Sequence, residues 1–113
     1  MSREYPKIIA DLDPPKSYEE LKAASDEPTR AGYQNHHIVG QGDYNSDIDK
    51  SLIESDDNIV RIPEYKHIDL NAYYQMPDPE LGNMTPRDYL RGKSFEEQLE
   101  FGKKILRKFG IMK

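Results

Sequence analysis

The sequence predicts a small α+β domain, in which two short strands and a helix form a ββα core and further helices flank it. Residues 37–39 and 58–62 are short, β-branched segments bounded by turn residues, and these features predict the strands. Helix start signals occur before and after this pair. The length of 113 residues suits one domain with a modest core.

The first 29 residues predict an N-terminal arm and a short helix. Three prolines among the first 16 residues, with little periodicity, predict that this part is extended. Ser17 and Glu20 match the capping-box pattern, in which each side chain accepts a hydrogen bond from the backbone of the other residue. This pattern predicts a helix from Tyr18 to about Ser25.

The centre of the chain predicts the ββα core. The first strand, 37–39, leads into a polar, turn-rich stretch with one helical turn around 49–53. The second strand, 58–62, alternates in polarity. Pro63 then stops the strand and suits the first turn of a helix that runs to about Tyr74.

Two more helices are predicted in the C-terminal part, at 85–110. Thr85 and Pro86 are start signals for the first, which ends at Gly92. A capping-box pattern at Ser94 starts the second, and Gly110 suits its C-terminus. The predicted buried face of this last helix comprises Phe95, Leu99, Gly102, Leu106 and Phe109.

Composition excludes several classes of protein. The chain has no cysteine, which excludes disulfides and thiolate metal sites. It has no apolar run of the roughly 20 residues that a membrane span needs, and its first residues do not show the apolar run of a signal peptide. We therefore expect no membrane partner and a cytoplasmic location, or export by a contact-dependent secretion system.

Charge is unevenly distributed along the chain. The net charge is −5, residues 34–60 carry six acids and one lysine, and residues 93–113 carry six bases and three acids. An acidic, metal-attracting segment and a basic tail are compatible with phosphodiester chemistry, although net charge itself reports on solubility and steering.

The three histidines of the chain form the candidate site. His36 and His37 are adjacent at the start of the first predicted strand, and His67 lies in the helix that follows the second. Adjacent strand residues point to opposite faces, so a strand that twists or ends here can direct one imidazole to a metal and the other to a substrate. Imidazole is both a metal ligand and a general base near neutral pH, and metal-assisted phosphodiester hydrolysis needs both.

These residues and their neighbours resemble a known motif. The stretches NHHIV at 35–39, DNIVRIP at 57–63 and KH at 66–67 resemble the HNH, or His-Me finger, nuclease motif. The chain from Arg30 onward is similar to the "HHIV-Q" nuclease domains of bacterial polymorphic toxins and phage-type proteins. The resemblance implies a nuclease domain over 30–113 with a ββα-metal core at about 34–75. Gly40-Gln41 departs from the acid that many relatives carry in "HHIVEQ".

The resemblance also implies roles for single residues. His36 and His67 would bind one divalent ion, for which Mg, Mn, Ni and Zn stay open. His37 would be the general base, and Asn58 would order the loop beside it. The implied activity is a metal-dependent endonuclease, acting on DNA more than RNA, in a toxin or effector that has a cognate immunity protein. Two alternatives stay open: a catalytically inactive, metal-stabilised binding module, and a phage-type housekeeping endonuclease without an immunity partner.

Several further residues have two interpretations. Asn71 could reach the ion or be an exposed helix residue, and Asp43 could support His36 or form a turn. Arg61 could hold the scissile phosphate or be an exposed strand residue. Four bases near the C-terminus could contact the nucleic-acid backbone or complement the helix dipole: Lys103, Lys104, Arg107 and Lys108.

Overall fold

The computed structural model describes residues 4–113. Over these residues the chain has a mixed helix-and-strand fold, which confirms the predicted α+β class. The elements are α1 (Glu4–Asp11), α2 (Tyr18–Ser25), β1 (Tyr33–His37), α3 (Lys50–Ile53), β2 (Ile59–Pro63), α4 (Glu64–Tyr74), α5 (Pro86–Leu90) and α6 (Phe95–Lys108). Short 3-10 turns lie at Asp43–Asn45, Asp56–Asn58 and Pro79–Leu81.

The two strands form an antiparallel pair, and α4 begins directly after β2. In the register of the pair, His36 lies opposite Val60 and His37 lies opposite Ile59. Val60 is fully buried, so the face that it shares with His36 is turned to the core. The chain therefore has the strand–strand–helix order that the sequence predicts.

The first strand lies earlier in the chain than predicted, because it ends at His37 rather than starting there. Beyond His37 a single backbone bond joins the Ile38 N–H to the Asn58 carbonyl, and the side chain of Asn58 then bonds both backbone polar groups of Val39. The β-branched pair Ile38 and Val39 is buried in the core instead of continuing the strand. The histidine pair consequently lies at the end of a strand.

The prediction of an extended arm over the first 16 residues is wrong for residues 4–11, which form α1, while residues 1–3 of that arm lie outside the described residues. Pro6 occupies the first turn of the helix, where its missing N–H breaks no helical hydrogen bond. Ala10 is buried, and α1 packs against α4. The arm prediction overlooked an apolar pattern at helical spacing, made up of Tyr5, Ile8, Ile9 and Leu12.

The remaining helices lie where the sequence predicts them. Ser17 and Ser94 cap α2 and α6 with complete capping boxes, and Thr85 caps α5. The main core packs α2 and α6 around the strand pair and α4, and its buried members are Leu21, Ile38, Val60, Ile62, Leu70, Ile105, Leu106, Ile111 and Met112. Across residues 4–113, every helix is too short or too polar to span a bilayer.

Gly102 brings α6 close to the end of β1. A Cβ on this residue would overlap the Ile38 Cγ2 methyl, so only glycine allows the two elements to approach this closely. Ile38 follows His37 directly in the chain. The packing of α6 therefore supports the segment that carries both adjacent histidines.

Candidate metal and active site

A cleft of about 420 Å³ opens beside the end of β1, and all three histidines line it. Its volume lies in the range of small-ligand sites, roughly 300–1,000 Å³. The other lining residues are Asn35, Ile38, Gly40, Gln41, Gly42, Tyr44, Asn71, Tyr74 and Arg87. No carboxylate occurs among these lining residues, and Arg87 is the one that carries a permanent charge.

His36 is the most deeply placed of the three imidazoles, with an exposed fraction of 7%. Burial, with a smaller contribution from the neighbouring imidazoles of His67 and His37, lowers its pKa to about 3. Its ring therefore stays neutral near physiological pH. A neutral imidazole keeps one nitrogen lone pair, which is the form that binds a metal.

His67 faces His36 from the first turns of α4. The two ring centres are 5.3 Å apart, with the ring planes at 72°. His67 Nδ1 lies 2.7 Å from Gln34 Oε1, and Gln34 Nε2 donates to Glu64 Oε1 at 2.6 Å. The Glu64 carboxylate can only accept hydrogen bonds, so the NH₂ group of the Gln34 amide faces it. The oxygen of the same amide therefore faces His67 and accepts the proton of Nδ1. Nε2 of His67 is therefore left with its lone pair free.

His37 lies at the rim of the cleft, and its side chain has an exposed fraction of 23%. Its Nε2 is 3.2 Å from Glu54 Oε2, and the other oxygen of that carboxylate accepts from Gln41 Nε2 at 2.8 Å. The hydrogen bonds from His37 and then Gln41 lower the pKa of Glu54, so this group is ionised and acts as an acceptor. Neutral His37 consequently carries its proton on Nε2 and its lone pair on Nδ1.

Asn58 is fully buried between the strand end and α3. Its Oδ1 accepts from the Val39 backbone N–H at 2.7 Å. Its Nδ2 donates to the backbone carbonyls of Val39 and Ile53, at 3.0 and 2.8 Å. These bonds join the segment after the histidine pair to the loop that carries Glu54, so Asn58 acts on the cleft by ordering its wall.

His36 and His67 fit part of a metal coordination shell. Two imidazoles that bind one tetrahedral ion at about 2.1 Å have ring centres roughly 5 Å apart, as His36 and His67 have. Over residues 4–113, no group of three or more His, Cys, Asp or Glu side chains is arranged to hold an ion. The chain would thus supply two ligands, and water and substrate the others. Imidazole without carboxylate is a donor set that Ni²⁺ and Zn²⁺ prefer and Mg²⁺ does not.

Of three other candidate residues from the sequence, one lines the cleft and two do not. Asn71 lines the cleft and is exposed to solvent. Asp43 begins a 3-10 turn and does not line the cleft. The Arg61 guanidinium also lies outside the cleft, because it donates to the backbone carbonyls of Glu27 and Pro28 at 2.7 and 2.9 Å.

The basic residues of α6 also lie outside the cleft. Lys103 is held over the ring of Tyr18, 4.1 Å from its centre, and Lys108 pairs with Glu80 at 3.0 Å. Arg107 donates to the backbone carbonyl of Lys113. Lys104, the fourth residue of this basic group, is exposed.

Sequence reasoning missed four residues of the site: Gln34, Tyr44, Glu54 and Arg87. A signal existed for Gln34, because it precedes His36 by two positions and so shares its face of the strand. Glu54 is 17 residues from His37 and reaches it only through the fold of α3. Arg87 reaches the cleft from α5, and no local pattern marks it.

No protein-family model, curated protein or solved structure matches this chain.

Proposed function

We propose that this protein is a metal-dependent endonuclease of the HNH type, which hydrolyses phosphodiester bonds in DNA in preference to RNA. One observation carries the proposal: all three histidines line one cleft, two as neutral rings 5.3 Å apart and the third at the rim beside a carboxylate. Metal-assisted hydrolysis needs such a division between metal ligands and a base. No carboxylate lines the cleft, and the Glu54 carboxylate beside its rim is held by His37 and Gln41.

His36 and His67 would hold the divalent ion through ring nitrogens whose lone pairs are free. When bound, such an ion stabilises negative charge on the scissile phosphate and on the leaving oxygen. Gln34 and Glu64 keep the His67 proton on Nδ1, which reserves Nε2 for binding. Burial keeps His36 neutral and therefore competent as a ligand.

His37 acts as the general base through Nδ1, because its Nε2 faces Glu54. It takes a proton from the attacking water as the water oxygen bonds to phosphorus and the bond to the 3′ oxygen breaks. The Glu54 carboxylate stabilises the imidazolium that this transfer creates. Gln41 holds that carboxylate in place from the segment after the histidine pair.

The test is a panel of metals against supercoiled plasmid DNA and single-stranded RNA. We expect nicking of the plasmid, with Ni²⁺ or Zn²⁺ effective at lower concentration than Mg²⁺. His36→Ala and His67→Ala should each weaken binding of Ni²⁺, measured by calorimetry, whereas Lys104→Ala on the far helix should change nothing.

Two outcomes would overturn this proposal. If the protein binds Ni²⁺ through His36 and His67 but cuts neither nucleic acid with any metal, it is the metal-stabilised binding module. If it neither binds the metal nor cuts, the metal-site interpretation fails as well.

A further inference from the structure

We propose that Arg87, seated on Tyr44, forms a phosphate-binding site in the wall of the cleft. Its ligand is a phosphate group of the nucleic-acid backbone, and this assignment of the ligand rests on the proposed function. The site is distinct from the metal and base positions, because no histidine belongs to it.

The charge in the cleft points to an anion. Arg87 is the one permanently charged residue among those that line it, in a protein with 21 acidic and 16 basic residues. Within the part of the chain that the structure describes, some lysines and arginines are ion-paired and others are not, and Arg87 is the unpaired one that lines the cleft. The paired bases are Lys7, Lys16, Lys22, Lys66, Arg91, Lys103 and Lys108. A free guanidinium in a cleft without carboxylates attracts an anion from solution.

Tyr44 supports the guanidinium. The central carbon of the Arg87 guanidinium lies 5.8 Å from the centre of the Tyr44 ring, within the distance at which a cation is attracted to an aromatic face. The ring in turn lies against Gly40, where a Cβ would overlap the Tyr44 hydroxyl. The glycine after the HHIV segment thus makes room for the ring, and the ring places its face beside the exposed Arg87 guanidinium.

The guanidinium chemistry favours phosphate. Its planar set of N–H donors matches two oxygens of a phosphate group at once, and its charge does not depend on pH. Because Arg87 and the histidines line the same cleft of about 420 Å³, a backbone that enters the cleft can meet both. Arg87 would therefore position the nucleic acid and not take part in proton transfer.

The test uses metal-free protein in a chelator, so that binding is measured without turnover. The probes are inorganic phosphate and a short single-stranded DNA oligonucleotide, followed by fluorescence anisotropy or by ¹⁵N NMR. We expect Arg87→Ala to weaken oligonucleotide binding by about tenfold and to reduce the slope of log affinity against log salt by about one. Arg87→Lys should lose part of this affinity, because the ammonium keeps the charge without the planar donors.

Arg91→Ala is the matched control, because this arginine follows the same short helix, pairs with Asp88 at 3.5 Å and does not line the cleft. It should bind the oligonucleotide as the wild type does. An Arg87→Ala variant that binds within twofold of the wild type would overturn the proposal, and so would an equal loss in Arg91→Ala. Binding of inorganic phosphate at Arg87 without any oligonucleotide binding would overturn the assignment to nucleic acid.

These results separate the two proposals. If Arg87 binds the oligonucleotide but no metal supports cleavage, the proposed function fails and the phosphate site stands. If the wild type cuts DNA and Arg87→Ala cuts it with an unchanged KM, the phosphate site fails and the proposed function stands.

Discussion

Asn58 pairs with Val39 as a further strand residue would: its side-chain oxygen accepts from the Val39 N–H at 2.7 Å, and its side-chain nitrogen donates to the Val39 carbonyl at 3.0 Å. After the histidine pair one backbone bond remains, from the Ile38 N–H to the Asn58 carbonyl at 2.9 Å, and at Val39 the Asn58 side chain replaces backbone pairing. Because adjacent strand residues point to opposite faces, His36 is buried while His37 reaches the rim of the cleft.

Asn58→Ala should lower the free energy of unfolding by about 2–4 kcal/mol, since it leaves buried backbone groups of Val39 and Ile53 without partners. Urea denaturation followed by circular dichroism measures this. Asn35→Ala is the control, because that exposed amide makes one 3.3 Å bond to a backbone carbonyl, and it should cost less than about 1 kcal/mol. Equal losses in the two variants would contradict the ordering role of Asn58.

His36 should make stability depend on pH. Its folded-state pKa is about 3, whereas an unfolded histidine titrates near about 6.5. Between these values the unfolded state binds one more proton than the folded state. The free energy of unfolding therefore falls as pH is lowered, by about 1.4 kcal/mol per pH unit from this group, and the contribution is complete above pH about 6.5.

His36→Phe, which cannot be protonated, should remove this part of the pH dependence. The measurement is the difference in unfolding free energy between wild type and variant at pH 4, 5, 6 and 7, because carboxylates contribute equally to both. A difference that does not change across this range would show that His36 is not buried in its neutral form.

Glu54→Gln should lower kcat by about tenfold and leave KM within about twofold, because the carboxylate orients His37 and stabilises its protonated form without binding substrate. Gln41→Ala should have a smaller effect in the same direction, since it frees the carboxylate without removing it. Asp56→Asn changes a nearby exposed acid and serves as the control.

¹⁵N NMR of the His37 ring should show the proton on Nε2 in the wild type and a mixture of tautomers in Glu54→Ala. Wild-type kcat in Glu54→Gln would contradict this role.

Gly102→Ala should destabilise the fold by about 1–3 kcal/mol, because the new methyl overlaps the Ile38 side chain. Helix propensity alone predicts the opposite sign, a gain of about 1 kcal/mol. The sign of the change therefore separates packing from propensity. A double-mutant cycle with Ile38→Ala should give a favourable coupling of at least about 0.5 kcal/mol, and a coupling of zero would show that the two residues do not limit each other.

Local patterns in the sequence were enough to predict the helix caps and the α+β class. Ser17 and Ser94 form the predicted capping boxes, because such bonds join residues three apart. The start of β1 was mispredicted because the β-branched Ile38 and Val39 are buried by tertiary contacts and not by strand pairing. The helix α1 was not predicted because the prolines were given more weight than the apolar residues at helical spacing, although a proline in the first helical turn costs little.

The residues of the candidate site also divide into those that the sequence could identify and those that it could not. His36, His37 and His67 could be selected from the sequence because their types and order carry the motif. Glu54 and Arg87 could not, because long-range packing brings Glu54, which follows α3, against His37 and places Arg87 of α5 in the lining of the cleft. The same packing moves Arg61 away from the cleft, to the carbonyls before β1.

The most direct test of a histidine-built nuclease site is the rate of plasmid nicking with Ni²⁺ for wild type and His37→Ala, measured with the Ni²⁺ affinity of each. The account predicts that the wild type nicks supercoiled DNA, and that His37→Ala is at least about 100-fold slower while it binds Ni²⁺ as tightly. Nicking by His37→Ala at the wild-type rate, or no nicking by the wild type, would contradict it.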